Sequence, residues 1–270
     1  MRLSAPITSK SNARVKALRA SFSGKAAHPG DLLGIEGEHL IAEALRSGLM
    51  LDTLFLREGS ESVLNRPALA NLHAGVTVVL TPDVFASAVE TVSPQGIAAT
   101  LTLPEPKSAV TPSGVTLILE SLQDPGNLGT LLRSAEAFGA QQIFVTPDTV
   151  SQWNPKVVRA SAGSVFRMPV LRGPLRQIAQ HLGQHRVPLY AAVAQSHGSA
   201  SLLQVKLDMA CAFLIGNEGA GLSPEALALS NGRIYIPCAV ESLNAAVAGS
   251  TLLYEAMRQR NQSHPTEVAS

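Results

Sequence analysis

Short unbroken apolar runs alternate along this chain with stretches whose apolar residues fall at helical spacing, the pattern of an α/β protein. In the first part, Leu32–Ile35, Leu51–Leu56, Val76–Leu80 and Ile97–Leu103 read as strands. Ala13–Ala20, His39–Leu45 with Gly48 as its stop, Pro67–His73 and Pro82–Ala88 read as helices. Pro104-Glu105-Pro106-Lys107-Ser108 is a stiff polar bridge that marks a domain boundary. Beyond it, Val115–Leu119 and Cys211–Ile215 are almost wholly apolar, as strands buried on both faces of a parallel sheet are. Gln142–Thr146, Pro188–Val193 and Arg233–Ile236 bring the second part to about five buried strands. Helical patterns run from Asn127 to Gly139, over Val157–Gly163 and Leu175–Leu182, and from Asn244 onward. The predicted organisation is a small α/β sandwich over 1–107, a mostly parallel α/β domain over 111–262 and a tail over 263–270.

Composition adds mainly exclusions. With 46% apolar and 15% charged residues, the chain is neither disordered nor fibrous. It has no secretory leader and no apolar stretch of the roughly 18–20 residues that a membrane span needs, so a cytoplasmic protein is expected. Cys211 and Cys238 show no metal-ligand spacing and are expected to be core thiols. The net charge of +1 does not announce a polyanion partner, but its distribution does. Arg2, Lys10, Arg14, Lys16, Arg19 and Lys25 all precede the first acid, Asp31. Such an arm suits a nucleic-acid backbone, although a solvated terminus has the same composition. Lys156, Arg159, Ser161 and Arg167, around Trp153 and Phe166, could extend that surface, with an aromatic ring for a base to stack on.

Candidate chemistry gathers in two loops at strand ends. Cys211–Ile215 empties into Gly216-Asn217-Glu218-Gly219-Ala220-Gly221, and Arg233–Ile236 empties into Pro237–Asn244. Ligands of α/β proteins sit at such carboxyl ends, and the glycines permit close backbone approach. A third segment, Asp124-Pro125-Gly126-Asn127, opens a helix whose apolar stripe leaves Arg133 outside. Asn127 is expected at or near that helix's N-cap, and Ser242 at the N-cap of the last helix. The glycine order does not fit a dinucleotide fold, and no phosphate-binding P-loop is present. Ser242 lacks the elbow and histidine of a hydrolase nucleophile.

Together these segments resemble the SpoU (TrmH-type) RNA 2′-O-methyltransferases of the SPOUT superfamily. Asp124–Gly129 with Arg133–Gly139 is similar to their first motif, Leu214–Leu222 to the second, and Ile236-Pro237 with Glu241–Asn244 and Leu253–Glu255 to the third. Asn154–Gly163 is similar to a further stretch of the family, and the first hundred residues resemble the RNA-binding substrate domain often fused ahead of it. The resemblance implies a deep trefoil knot in the second domain, a homodimer formed through it, and active sites at the interface. It implies methyl transfer from S-adenosylmethionine to a ribose 2′-hydroxyl, ribosomal RNA being favoured over tRNA, without a metal. Gly216, Glu218, Gly219, Ile236, Pro237, Leu243 and Asn244 would form the cofactor site. Arg133, Asn127, Glu218 and Asn244 would serve catalysis, Glu218 as pocket organiser or as partner of Arg133. Lys10, Arg14, Lys16, Arg133, Lys156 and Arg159 would hold RNA. Ala245, Ala246, Ala248 and Gly249 would allow close helix packing, with Val247, Tyr254 and Met257 as a seam. Between Pro237 and Glu241 the chain has only Cys238-Ala239-Val240, shorter than in many members. A non-catalytic RNA-binding protein would share the basic arm but would not need the paired loops.

Overall fold

The computed structural model describes residues 5–70, 72, 74–91 and 93–263. They divide into two compact units, one holding the chain up to 106 together with Ser151–Phe166, the other holding 107–150 and the chain from 167 onward. The first unit carries α1 (Ala13–Ser21), β1 (Leu32–Glu36), α2 (Glu38–Arg46), β2 (Leu51–Arg57), β3 (Ala74–Leu80), α3 (Pro82–Ala88) and β4 (Ile97–Thr102). Its sheet runs β1-β4-β2-β3, with β4 antiparallel to both neighbours and β2 parallel to β3. Val15, Leu18 and Phe22, from α1 and its C-terminal end, pack with Phe55, Leu80 and Phe85 in one core. The helix predicted over Pro67–His73 is a single 3-10 turn, Pro67–Leu69, and His73 lies outside the described residues. Arg66 before Pro67 is extended, as the proline ring requires, and only the turn after it tightens.

The second unit begins with β5 (Val115–Leu119), α4 (Pro125–Ala137) and β6 (Ala140–Val145). The chain then supplies α5 (Pro155–Ala160) to the first unit, a departure from a single boundary near 107. It returns with β7 (Val170–Arg172), α6 (Leu175–Gln184), β8 (Leu189–Ala192), β9 (Ala200–Ser201), β10 (Cys211–Ile215), α7 (Pro224–Leu229), β11 (Gly232–Tyr235) and α8 (Ala245–Ser263). The sheet runs β7-β6-β5-β10-β8-β11-β9, and every pairing in it is parallel. Seven strands therefore stand where about five were expected. β7 and β9 are too short and too mixed to show as apolar runs. All residues of β5 and β10 are buried, and each large apolar side chain there contributes roughly 1.5–3 kcal/mol.

α4 packs on α8 at unusually close range. A Cβ on Gly249 would lie 2.4 Å from Leu131 Cδ2, and Ser134 and Ser250 share a hydroxyl hydrogen bond of 2.7 Å. The small residues of α8 thus serve this chain's own core, with Ala245, Ala246 and Gly249 buried. Val247 and Tyr254 remain about half exposed.

Candidate active site

β5 and β10 run side by side with Leu119 opposite Ile215, so their carboxyl-terminal loops leave the sheet together. The β5 loop opens on Glu120, which is buried at the end of an apolar strand. Its N–H donates to the Ile215 carbonyl at 2.9 Å, and its carboxylate accepts from the Ser223 N–H at 2.9 Å and hydroxyl at 2.6 Å. That pairing satisfies a charge which would be costly if left bare. Ser121 follows in a left-handed conformation with φ 53°, and its carbonyl accepts from Asn217 Nδ2 at 2.9 Å. Asn217 Oδ1 accepts from the N–H groups of Gly219 and Ala220, at 2.9 and 3.1 Å. Asn217 and Gly221 also exchange both backbone hydrogen bonds, at 3.1 and 2.9 Å. The turn closes so tightly that a Cβ on Gly216 would sit 2.4 Å from the Gly221 carbonyl oxygen. Only glycine fits there.

This loop, the chain after β8 and the chain after β11 enclose a cavity of about 480 Å³. Gly216, Glu218, Gly219, Ile236 and Leu243 line it, whereas Pro237 and Asn244 do not. Asn244 has another task. Its Oδ1 accepts from the N–H groups of Ala246 and Val247, at 2.9 and 3.2 Å, so it caps α8 in place of the expected Ser242. Its Nδ2 donates to Asn127 Oδ1 at 3.0 Å, and Asn127 Nδ2 donates to Glu218 Oε1 at 2.6 Å. An amide relay thus joins the three loop segments, and it reaches the cavity wall at Glu218. Asn127 is free for it because Asp124, not Asn127, caps α4, accepting from the Asn127 N–H at 2.7 Å. Glu218 is therefore the partner of Asn127 and not of Arg133. Among the described residues, no group of three or more His, Cys, Asp or Glu side chains could hold a metal ion.

Residues 114–254 match the SpoU rRNA Methylase family, and residues 12–99 match the MRM3-like substrate binding domain. The chain belongs to the SpoU rRNA methylase family. It is 32% identical to the 23S rRNA (guanosine(2553)-2′-O)-methyltransferase RlmP of Bacillus subtilis, over 92% of this chain and 97% of that one. A crystal structure of an RNA 2′-O ribose methyltransferase superposes with a TM-score of 0.80 at 31% identity, covering 95% of this chain and 99% of that one. The SpoU methyltransferase AviRb from Streptomyces viridochromogenes, in complex with AdoMet, superposes with a TM-score of 0.77 at 27% identity, covering 92% and 98%.

In this SpoU chain, Arg133 is exposed on α4 and does not line the cavity, and among the described residues it has no hydrogen-bond or ion-pair partner. The expected RNA-holding residues of the first unit divide into two groups. Arg14, Lys16 and Lys156 are exposed, while Lys10 pairs with Asp83 at 3.7 Å and Arg159 with Glu90 at 2.8 Å. Lys156 and Arg159 lie on α5 and so share a unit with Lys10, Arg14 and Lys16. Phe166 and Ser161 are buried, not surface residues, and the Ser161 hydroxyl donates to the Val158 carbonyl at 2.8 Å. Arg167 is held in a fork by Glu136 in the second unit. Trp153 is half-buried and is the aromatic of that segment left to meet a base. Arg2 lies outside the described residues.

The cysteines also part company. Cys211 is buried in β10, and burial pushes its thiol up to about 12. Cys238 is exposed, because β11 ends at Tyr235 and leaves it in the short loop, where it lines the cavity. A maleimide at neutral pH should therefore label Cys238 and spare Cys211 in the native protein. Saturating S-adenosylmethionine should slow that labelling several-fold, and peptide mapping by mass spectrometry reads both effects. Equal labelling of the two would contradict the burial of β10.

Proposed function

We propose that this chain transfers the methyl group of S-adenosylmethionine to a ribose 2′-hydroxyl of structured ribosomal RNA in the cytoplasm, as a homodimer formed through its second unit. The observation that carries the reading is the Asn244–Asn127–Glu218 relay, which ties two polar motif residues to Glu218 in the wall of one glycine-lined cavity. The donor set fits the cofactor, since a pocket of backbone groups, Ile236 and Leu243 suits an adenosine. The Gly216 turn leaves no room for a side chain against the Gly221 and Leu222 backbone, so the loop that lines the cavity keeps its tight form. No helix among the described residues is long and apolar enough to cross a membrane.

Bound S-adenosylmethionine supplies an already activated methyl group, so no metal is required. What remains for the protein is orientation and proton management. The planar, positively charged guanidinium of Arg133 is suited to hold the neighbouring phosphate and to offset developing alkoxide charge. The hydroxyl proton passes to phosphate or water. The amide relay fixes the loops that frame the reaction. A site shared across a dimer interface accounts for Arg133, which lies outside the cavity lining of its own chain. Half-exposed Val247 and Tyr254 on α8 are the apolar seam for that interface. The reading includes a trefoil knot around the 216–221 and 237–244 loops, and it assigns RNA capture to Arg14, Lys16, Lys156 and their neighbours in the first unit.

Titration calorimetry with S-adenosylmethionine tests the reading directly, with micromolar binding expected. No heat at millimolar cofactor would favour a non-catalytic RNA-binding protein. Mapping 2′-O-methyl positions in total RNA with and without the protein then separates a ribosomal target from a tRNA.

A further inference from the structure

Arg172 is the last residue of the edge strand β7, and nothing in the sequence pattern singles it out. Its guanidinium gathers four backbone carbonyls. Nη1 donates to Thr146, Pro147 and Thr149, at 2.9, 2.8 and 2.7 Å, and Nη2 to Val150 at 3.2 Å. Loss of water around the head lowers its pKa, and the nearby charge of Asp148 partly offsets that cost. A planar fork can serve several acceptors at fixed angles, which an ammonium cannot.

The turn that Arg172 gathers is a buttress for the active-site loops of the same unit. Thr146 Oγ1 accepts from the Ser121 N–H at 2.9 Å, and Thr149 Oγ1 from the Leu122 N–H at 3.3 Å. The Val150 N–H donates to the Leu122 carbonyl at 2.9 Å. Ser121 is thereby held in a left-handed conformation that a non-glycine residue seldom adopts. Its carbonyl, turned by that conformation, accepts from Asn217, which in turn arranges the Gly219 and Ala220 amides.

We propose that Arg172 is a positioning residue for the cofactor loop, holding the 146–150 turn against Ser121 and, through Ser121 and Asn217, setting the 216–221 loop. The proposal rests on the methyltransferase reading above. Arg172→Met removes every bond of the clasp, Arg172→Lys restores a charge with fewer aligned donors, and Thr146→Val cuts the next link while leaving Arg172 in place. Gln142→Ala is the control for plain destabilisation. Gln142 is fully buried, and its amide pairs with the N–H and carbonyl of Val110, at 3.1 and 3.2 Å, outside this relay.

Calorimetry with S-adenosylmethionine, steady-state kinetics on a structured rRNA fragment and melting temperature are measured for each variant. R172M and T146V should weaken cofactor affinity about tenfold with KM for RNA within about twofold of wild type, and R172K should recover part of the loss. Q142A should lower the melting temperature and leave cofactor affinity unchanged. If R172M and T146V behave like Q142A, Arg172 is only a structural clasp and the proposal fails. If R172M does not fold, T146V and R172K decide by the same criterion. A wild-type protein that binds no S-adenosylmethionine overturns the methyltransferase reading, and the proposal with it.

Discussion

Alanine at position 216 should weaken S-adenosylmethionine binding by about fivefold to roughly 150-fold, the range that about 1–3 kcal/mol of overpacking implies. The added Cβ would stand 2.4 Å from the Gly221 oxygen, 2.5 Å from its carbon and 2.7 Å from the Leu222 nitrogen. All three are backbone atoms, so no side chain can swing away. The turn is also tied by two Asn217–Gly221 backbone bonds and by the Asn217 side chain. Relief therefore requires the loop to open, and the opened loop is a wall of the cavity. Gly219→Ala provides the contrast, because its Cβ would meet only Asn217 Oδ1 at 3.6 Å, an ordinary contact. Calorimetry on both variants checks the ranking. A Gly216→Ala protein with native affinity would mean that the tight turn is irrelevant to the cofactor.

Arg133→Lys should cut single-turnover methyl transfer by about a hundredfold while leaving S-adenosylmethionine affinity unchanged. The side chain is exposed and does not line the cavity of its own chain, so the substitution leaves that cavity's walls intact. Lysine keeps the positive charge but loses the planar two-point grip on phosphate. Rate measurements at saturating RNA separate this from weaker capture. Full turnover with unaltered RNA binding would remove Arg133 from its orienting role.

Much of the fold was legible because its signals are local. β5 and β10 are fully buried strands and carry no polar interruption except Thr116, so periodicity alone located their ends to the residue. The stripe Leu128, Leu131, Leu132 and Ala135 likewise placed α4 and left Arg133 outside. What escaped was set by partners far away in the chain. Asp124 and Asn127 are both good caps; Asp124, followed by Pro125, takes the cap and leaves the Asn127 side chain to Glu218 and Asn244. Asn244 takes the cap of α8 that was expected of Ser242, through hydrogen bonds from the Ala246 and Val247 N–H groups. Cys238, expected as a core thiol, lies exposed in the loop that follows β11. No local pattern assigns a task to Glu120 or Asn217. A carboxylate closing a fully buried strand was the available clue to the first.

The amide relay has a kinetic consequence. Its two hydrogen bonds join residues 91 and 117 positions apart, the separation at which chain closure is slow and precedes any stabilising return. No fragment of this polypeptide can hold the assembled loops before β10 and α8 have docked beside β5 and α4. During refolding, competence to take up the methyl donor is thus a late event, and ligand capture serves as a clock for the final step of topology formation.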